Sequence, residues 1–139
     1  MLTNRSIPRA TVIPELGYAD PREAADWLCA AFGFTVRLRI ANHRVQLNVG
    51  DGAVVIVEAD AADAKAFERT QRVMVRVDNV DAHCARARAS GARILSEPQD
   101  FPFGERQYNA ADLAGRRWTF SRTTADVAPE DWGGESVEM

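Results

Sequence analysis

The chain is poor in the residues that most often announce a chemistry. Its 139 residues include two cysteines and two histidines, and its formal net charge is only -3. With no C-x-x-C spacing, Cys29 and Cys84 read as reduced, partly buried thiols of a cytoplasmic protein. Two histidines and no nucleophile-elbow motif give no Ser-His-Asp or Cys-His arrangement. No basic run exceeds Arg116-Arg117, and the mild acidity leaves no electrostatic footprint for nucleic acid. No apolar run is long enough to span a bilayer, and the N-terminus lacks the h-region of a signal peptide. The Gly50-Asp51-Gly52 triplet reads as a hairpin turn, not a phosphate loop.

What is present is a repeat. Asp20-Pro21-Arg22-Glu23 opens a helix, with Asp20 able to cap, Pro21 suited to the first helical position and Glu23 completing a capping box. Ala24, Trp27, Leu28, Ala31 and Phe32 form one helical stripe, and Gly33 supplies a left-handed stop. Asn79 to Gly91 repeats the pattern, with Val80, Cys84 and Ala87 on one face. A strand precedes each helix (ATVIPELGY and RVMVRV), and three strands follow each. The chain therefore divides into module one, residues 10–60, a linker over 59–71 that suits a short helix, and module two, residues 72–122. These form one domain over 1–123, followed by a C-terminal arm, 124–139. The fold class is α+β, two fused βαβββ modules forming a half-open curled sheet.

Three segments, in this order and spacing, resemble the vicinal oxygen chelate superfamily of glyoxalases, bleomycin-resistance proteins and extradiol dioxygenases. They are AADWLCAAFGF, VMVRVDNVDAHCARARASGARI and the final hairpin DLAGRRWTF. The resemblance runs from about Ala10 to Ser121, and the tail PEDWGG is similar to that of glyoxalase-like proteins of unassigned function. It implies a cup between the modules, dimerisation, and, in metal-dependent members, two metal ligands from each module. Counting from the helix caps and turn glycines puts those positions at Ile13, Ile56, Arg72 and Thr119. Isoleucine has no donor atom, arginine is a permanent cation and a lone threonine is a poor ligand, so no metal and no cofactor are expected. Glu15 and Glu58 share the counted parity and are the candidates for a displaced site. His43 and His83 read as surface or helix-edge residues, and Arg86 and Arg88 as a solvated helix face.

The metal-free branch of the resemblance implies ligand binding in the cup, usually in a homodimer. Strand alternation places Trp118 and Phe120 under the helices and turns Arg72, Arg76, Arg117 and Thr119 towards the cup. Glu15 joins them from the first strand, and Met74 adds an adaptable apolar surface. The expected site is thus Glu15, Arg72, Met74, Arg76, Arg117 and Thr119, suited to a small molecule bearing a carboxylate, phosphate or polarised carbonyl. Arg116 is expected to bend into solvent at the turn exit, Tyr108 suits either pocket or core, and Phe101-Pro102-Phe103 suits a groove entrance. Three functions stay open: a small-molecule binder of the antibiotic-sequestering kind, a glyoxalase-like lyase or isomerase with a non-standard site, and an interaction module with a filled cup. The alternative for the arginines is a structural network with Glu15, Glu58 or Glu105.

Overall fold

Both long helices start where a short polar side chain replaces the missing intrahelical partner. In a computed structural model that describes residues 2–66 and 70–137, the Asp20 carboxylate accepts from Glu23 N at 3.1 Å and opens α1, Pro21–Phe32. The Asn79 side chain accepts from Ala82 N at 3.0 Å and opens the second long helix, Val80–Ala89. Gly33 ends α1 in the left-handed region, φ 80, where a side chain would be strained.

Module one is β1 (Glu15–Tyr18), α1, β2 (Thr35–Ile40), β3 (Arg44–Val49) and β4 (Gly52–Glu58). Module two is β5 (Arg72–Arg76), the helix 80–89, β6 (Arg93–Phe101), β7 (Glu105–Ala111) and β8 (Arg117–Thr123). A short helix α2 (Ala61–Ala66) follows module one, so the helix 80–89 is α3. Linker residues 67–69 lie outside the described residues. Each module forms its own four-stranded sheet, in the order β1-β4-β3-β2 for sheet A and β5-β8-β7-β6 for sheet B. The duplicated strand-helix-strand-strand-strand order is the one the sequence repeat implies.

A single apolar core joins the modules. Leu16, Tyr18, Val45, Leu47, Val54 and Ile56 turn one face of sheet A onto α1, whose Leu28, Ala31 and Phe32 are buried. Tyr108, Ala110, Trp118 and Phe120 do the same for sheet B under α3. The ring of Phe32 lies 4.7 Å from that of Phe120 and 5.6 Å from that of Trp118, so α1 packs on module two as well. Tyr108 is therefore core.

Polar side chains fasten the same junction. Beyond the Gly33 N–H on Cys29 O at 3.1 Å, the last carbonyls of α1 have no helical donors, and the helix carries no basic residue in its last turn. Arg86 of α3 supplies the donors, Nε to Ala30 O at 3.0 Å and Nη2 to Cys29 O at 3.3 Å. His83 adds Nε2 to Phe32 O at 2.9 Å. A carbonyl only accepts, so Nε2 carries the proton and Nδ1 accepts from the Tyr108 hydroxyl at 2.5 Å. Arg86 is thus a helix cap across modules, and His83 is a packed histidine stacked on Phe32 and Phe120, not a surface one. Arg88 pairs with Glu97 on the solvated face. His43 is exposed in the β2–β3 turn.

The two arms settle on different modules. The N-terminal arm crosses the outer face of sheet A, where Gln46 donates to Ser6 O at 2.9 Å and Arg37 to Arg5 O at 2.8 Å. Beneath it Gln46, Ala53 and Val55 are buried. The C-terminal arm docks at the β6–β7 turn. Gly104, at φ 83, accepts from Thr124 N at 2.8 Å, and a Cβ there would collide with the Ala125 carbonyl. Trp132 packs on Phe103 at 5.0 Å, and Phe103 stacks on Phe101 at 5.3 Å, so these aromatics seat the arm.

Candidate ligand-binding site

Strand register decides which side chains share a face. In sheet B, Arg72, Met74 and Arg76 of β5 stand beside Arg117, Thr119 and Ser121 of β8. Thr119 and Ser121 in turn stand beside Asn109 and Gln107 of β7. Val73, Trp118 and Phe120 occupy the alternate parity, under α3. Five of the six expected site residues, Arg72, Met74, Arg76, Arg117 and Thr119, therefore share the face of sheet B turned away from the helices. Met74 is 63% exposed there, a large apolar side chain without cover in the single chain.

This face is a polar shelf whose hydrogen bonds run strand to strand. Thr119 donates to Asn109 Oδ1 at 2.5 Å, and Asn109 donates to Ser96 at 2.7 Å. Gln107 donates to Ser121 at 3.0 Å, and Ser121 donates to Glu105 at 2.7 Å. Thr123 donates to the other Glu105 oxygen at 2.5 Å and accepts from Arg76 at 2.6 Å. Burial pushes the Glu105 carboxyl up, but the hydrogen bonds from Thr123 and Ser121 and the Arg76 charge outweigh it and hold the group below its usual range. Glu105 is an anchored anion, with one hydrogen bond on each oxygen, and its lowered proton affinity makes it a weak base.

The arginines divide into two kinds. Arg76 lies 3.8 Å from Glu105 and belongs to the shelf. Arg72 and Arg117 are register partners on adjacent strands, about 4.8 Å apart by sheet geometry. Among the described residues neither forms an ion pair. Glu15 binds Arg44 instead. Of the anticipated structural pairings, only Arg76 with Glu105 is present.

Glu15 stands apart from the other five. It lies on β1 in sheet A and meets Arg72 across a cavity of about 660 Å³ at the seam between β1 and β5. The same cavity is lined by Pro14, Leu16, Gln71, Val73 and Arg116. Arg116, expected in solvent, is only 7% exposed. Its Nη2 donates to Gly17 O at 3.0 Å, and its guanidinium lies 5.2 Å from the centre of the Tyr18 ring.

Asp112 fixes this corner. Its Oδ2 accepts from the Tyr18 hydroxyl at 2.5 Å and from Trp118 Nε1 at 3.0 Å. Its Oδ1 accepts from the backbone N–H groups of Ala114 and Arg116. Burial first, and the Asp112 charge second, push the Tyr18 phenol far above its ordinary value, so it is a permanent donor. A hairpin of module two is thereby bolted to the first strand of module one. An Asp opening a turn was visible in the sequence, but its buried partners are not sequence neighbours.

The positions where relatives of this fold are expected to hold a metal do not suit one. Ile56 faces the core, fully buried against Leu16 and Val45, and does not reach the outer face. Gly52 already lies within β4, paired with Val49, whereas Gly115 precedes β8 by two residues. The same count from each glycine therefore lands on opposite faces. Val55, opposite Glu15, takes the outward position and offers no donor atom. Glu58 pairs with Tyr18 on the helix-side parity, so Glu15 and Glu58 lie on opposite faces of sheet A and cannot form a displaced site together. Among the described residues no group of three or more His, Cys, Asp or Glu is placed to hold an ion. Among them too, no helix is long and apolar enough to cross a membrane.

A family model, Glyoxalase/Bleomycin resistance protein/Dioxygenase superfamily, matches residues 10–120. The chain is similar to TioX from Micromonospora sp. ML1, with 34% identity over 86% of this chain and 100% of that one, at a TM-score of 0.69. It is also similar to a glyoxalase/bleomycin resistance protein from Streptomyces sp. CB03234, at 23% identity, 78% and 96% coverage and a TM-score of 0.62. A glyoxalase-related enzyme from Fulvimarina pelagi matches at 15% identity, 94% and 99% coverage and a TM-score of 0.67. These last two likenesses concern the fold alone. No curated protein matches the sequence.

Proposed function

The chain belongs to the glyoxalase/bleomycin resistance protein/dioxygenase superfamily, and from that premise we propose that it is a metal-free binder of a small molecule carrying a carboxylate, phosphate or polarised carbonyl. One observation carries the reading: Arg72 and Arg117 stand side by side on one face, without an acidic partner among the described residues. Two guanidinium groups on neighbouring strands repel each other, and a bound anion removes the repulsion. The rest of the shelf fits a binding role. Thr119, Asn109 and Ser121 are already hydrogen-bonded and hold a fixed shape, while Met74 offers an adaptable apolar surface.

The open shelf also supports assembly. Thr119 and Ser121 are buried among their neighbours, but Met74 lies largely in solvent in one chain, so we infer that a second copy of the chain covers it and completes the cup. Sequestration of an antibiotic is the use such a metal-free cup would most directly serve.

A thermal-shift screen of small carboxylates, phosphates and natural antibiotics tests the assignment, because a ligand that binds only the folded state raises Tm. Each hit is repeated with Arg117→Ala. Unchanged affinity of every hit would place the ligand elsewhere. Copurification of a divalent metal at one per chain, with histidine or carboxylate ligation, would overturn the metal-free reading.

A further inference from the structure

Arg116 is the most deeply buried cation of the molecule among the described residues, and its charge is poorly answered. Its Nε has no hydrogen-bond partner among them, and no carboxylate lies within ion-pair distance of its guanidinium. The nearby acid, Asp112, has both oxygens committed to Tyr18, Trp118 and two backbone N–H groups. One bond to Gly17 O and the face of Tyr18 remain to it. A buried guanidinium with an unpaired donor is costly unless something compensates it.

The compensation has a place to sit. Arg116 lines the seam cavity of about 660 Å³, a volume in the range of small-molecule sites. Pro14, Leu16 and Val73 make its apolar walls, and Thr70, Gln71 and Arg72 bring hydrogen-bond donors to its rim. Glu15 also lines it, but Arg44 engages that carboxylate. Leu16, Val73 and Arg116 carry the helix-side parity and Glu15 and Arg72 the outer one, so the cavity runs through the gap between β1 and β5 and meets the outer shelf at Arg72.

We propose that this seam is a second binding site, specific for a small oxyanion, a carboxylate or phosphate group held by Arg116 with Arg72 and Gln71 at the rim. It sits where the two modules meet, so an occupant bridges β1 and β5, which share no strand pairing. The seam rests on Arg116, which the outer face of sheet B does not use, while Arg72 stands at the rim of both sites.

The test uses the full chain with ¹⁵N-labelled arginine and follows the Nε–H signals while acetate and inorganic phosphate are titrated separately. The Arg116 signal is assigned by its loss in Arg116→Lys. It is expected to shift saturably with at least one anion, and Arg116→Lys to weaken that anion roughly tenfold or more, since the lysine lacks the planar fork. Arg117→Ala is expected to bind it within about twofold of the parent, since Arg117 does not line the cavity. An Arg116 signal that does not move, full affinity in Arg116→Lys, or loss of binding in Arg117→Ala would each overturn the seam site. If Arg116→Lys does not fold, Gln71→Trp at the exposed rim closes the cavity, and persistence of the shift in that variant overturns the proposal equally. Loss of shelf ligands in Arg117→Ala with the seam response intact separates the two sites.

Discussion

The two modules share one strand order and spend their outer faces differently. Sheet A presents Ala53, Val55 and Gln46, and the protein's own N-terminal arm lies over them. Sheet B presents Arg72, Met74 and Arg117 beside a hydrogen-bonded polar shelf, with Arg72 and Met74 exposed in the single chain. The hairpins differ as well. Module one closes β3 and β4 with Gly50-Asp51, and Asp51 is exposed. Module two closes β7 and β8 with a longer loop whose Asp112 is buried and tied to module one. Duplication supplied the scaffold twice. One sheet seats an arm, and the other presents an arginine-bearing polar face.

The largest effect should come from the hairpin acids. Asp112→Ala leaves the Tyr18 hydroxyl, Trp118 Nε1 and two backbone donors without partners, and should cost about 3–5 kcal/mol in denaturant unfolding. Asp51→Ala should stay within about 0.5 kcal/mol. Equal effects would remove the contrast between the hairpins.

Removal of residues 2–8 should destabilise by about 1–3 kcal/mol, since it uncovers Gln46 and Val55. Hydrogen exchange should quicken in β3 and β4 and leave β7 and β8 unchanged. Faster exchange in sheet B would show that the arm supports both modules.

The junction gives a smaller, pH-dependent effect. Burial first lowers the affinity of His83 for a proton; the bond to the Phe32 carbonyl opposes this, and the Arg86 charge adds to it. The folded state therefore prefers neutral His83, while the unfolded chain takes up a proton near pH 6.5. The contribution is fully present above about pH 6.5 and is lost as pH falls from there towards the lower folded value. Tm should decline over that range in the parent and less steeply in His83→Asn. Arg86→Ala, which uncaps α1, should cost about 1 kcal/mol at any pH near neutrality.

The smallest change in stability should come from the shelf. Arg117→Ala should alter unfolding by less than about 0.5 kcal/mol, or slightly stabilise the chain by removing repulsion from Arg72. Its affinity for shelf ligands should nevertheless fall roughly tenfold. A large loss of stability would mark Arg117 as structural.

The local grammar was legible in the chain because its causes are local. Asp20 and Asn79 cap the helices they precede, and alternation sorted Arg72, Met74 and Arg117 from Val73, Trp118 and Phe120. Ile56 was misplaced because a count along the chain does not reveal where a strand begins pairing. In the sequence Arg86, His83 and Arg116 look like solvated or edge residues because each acts on a partner far away along the chain. Their partners are the α1 carbonyls, Tyr108 and Gly17.

The sequence by itself determined the two modules, their fold class and the faces of sheet B. Those depend on side-chain chemistry and on periods of two and 3.6 residues, which a linear chain carries intact. Only the tertiary structure decided that Asp112 bolts the modules together, that an arm covers one sheet, and that Arg116 lies buried beside a cavity. Those depend on which distant surfaces meet, and burial changes the meaning of a charge: the same guanidinium that is idle in water demands a partner once the solvent is gone.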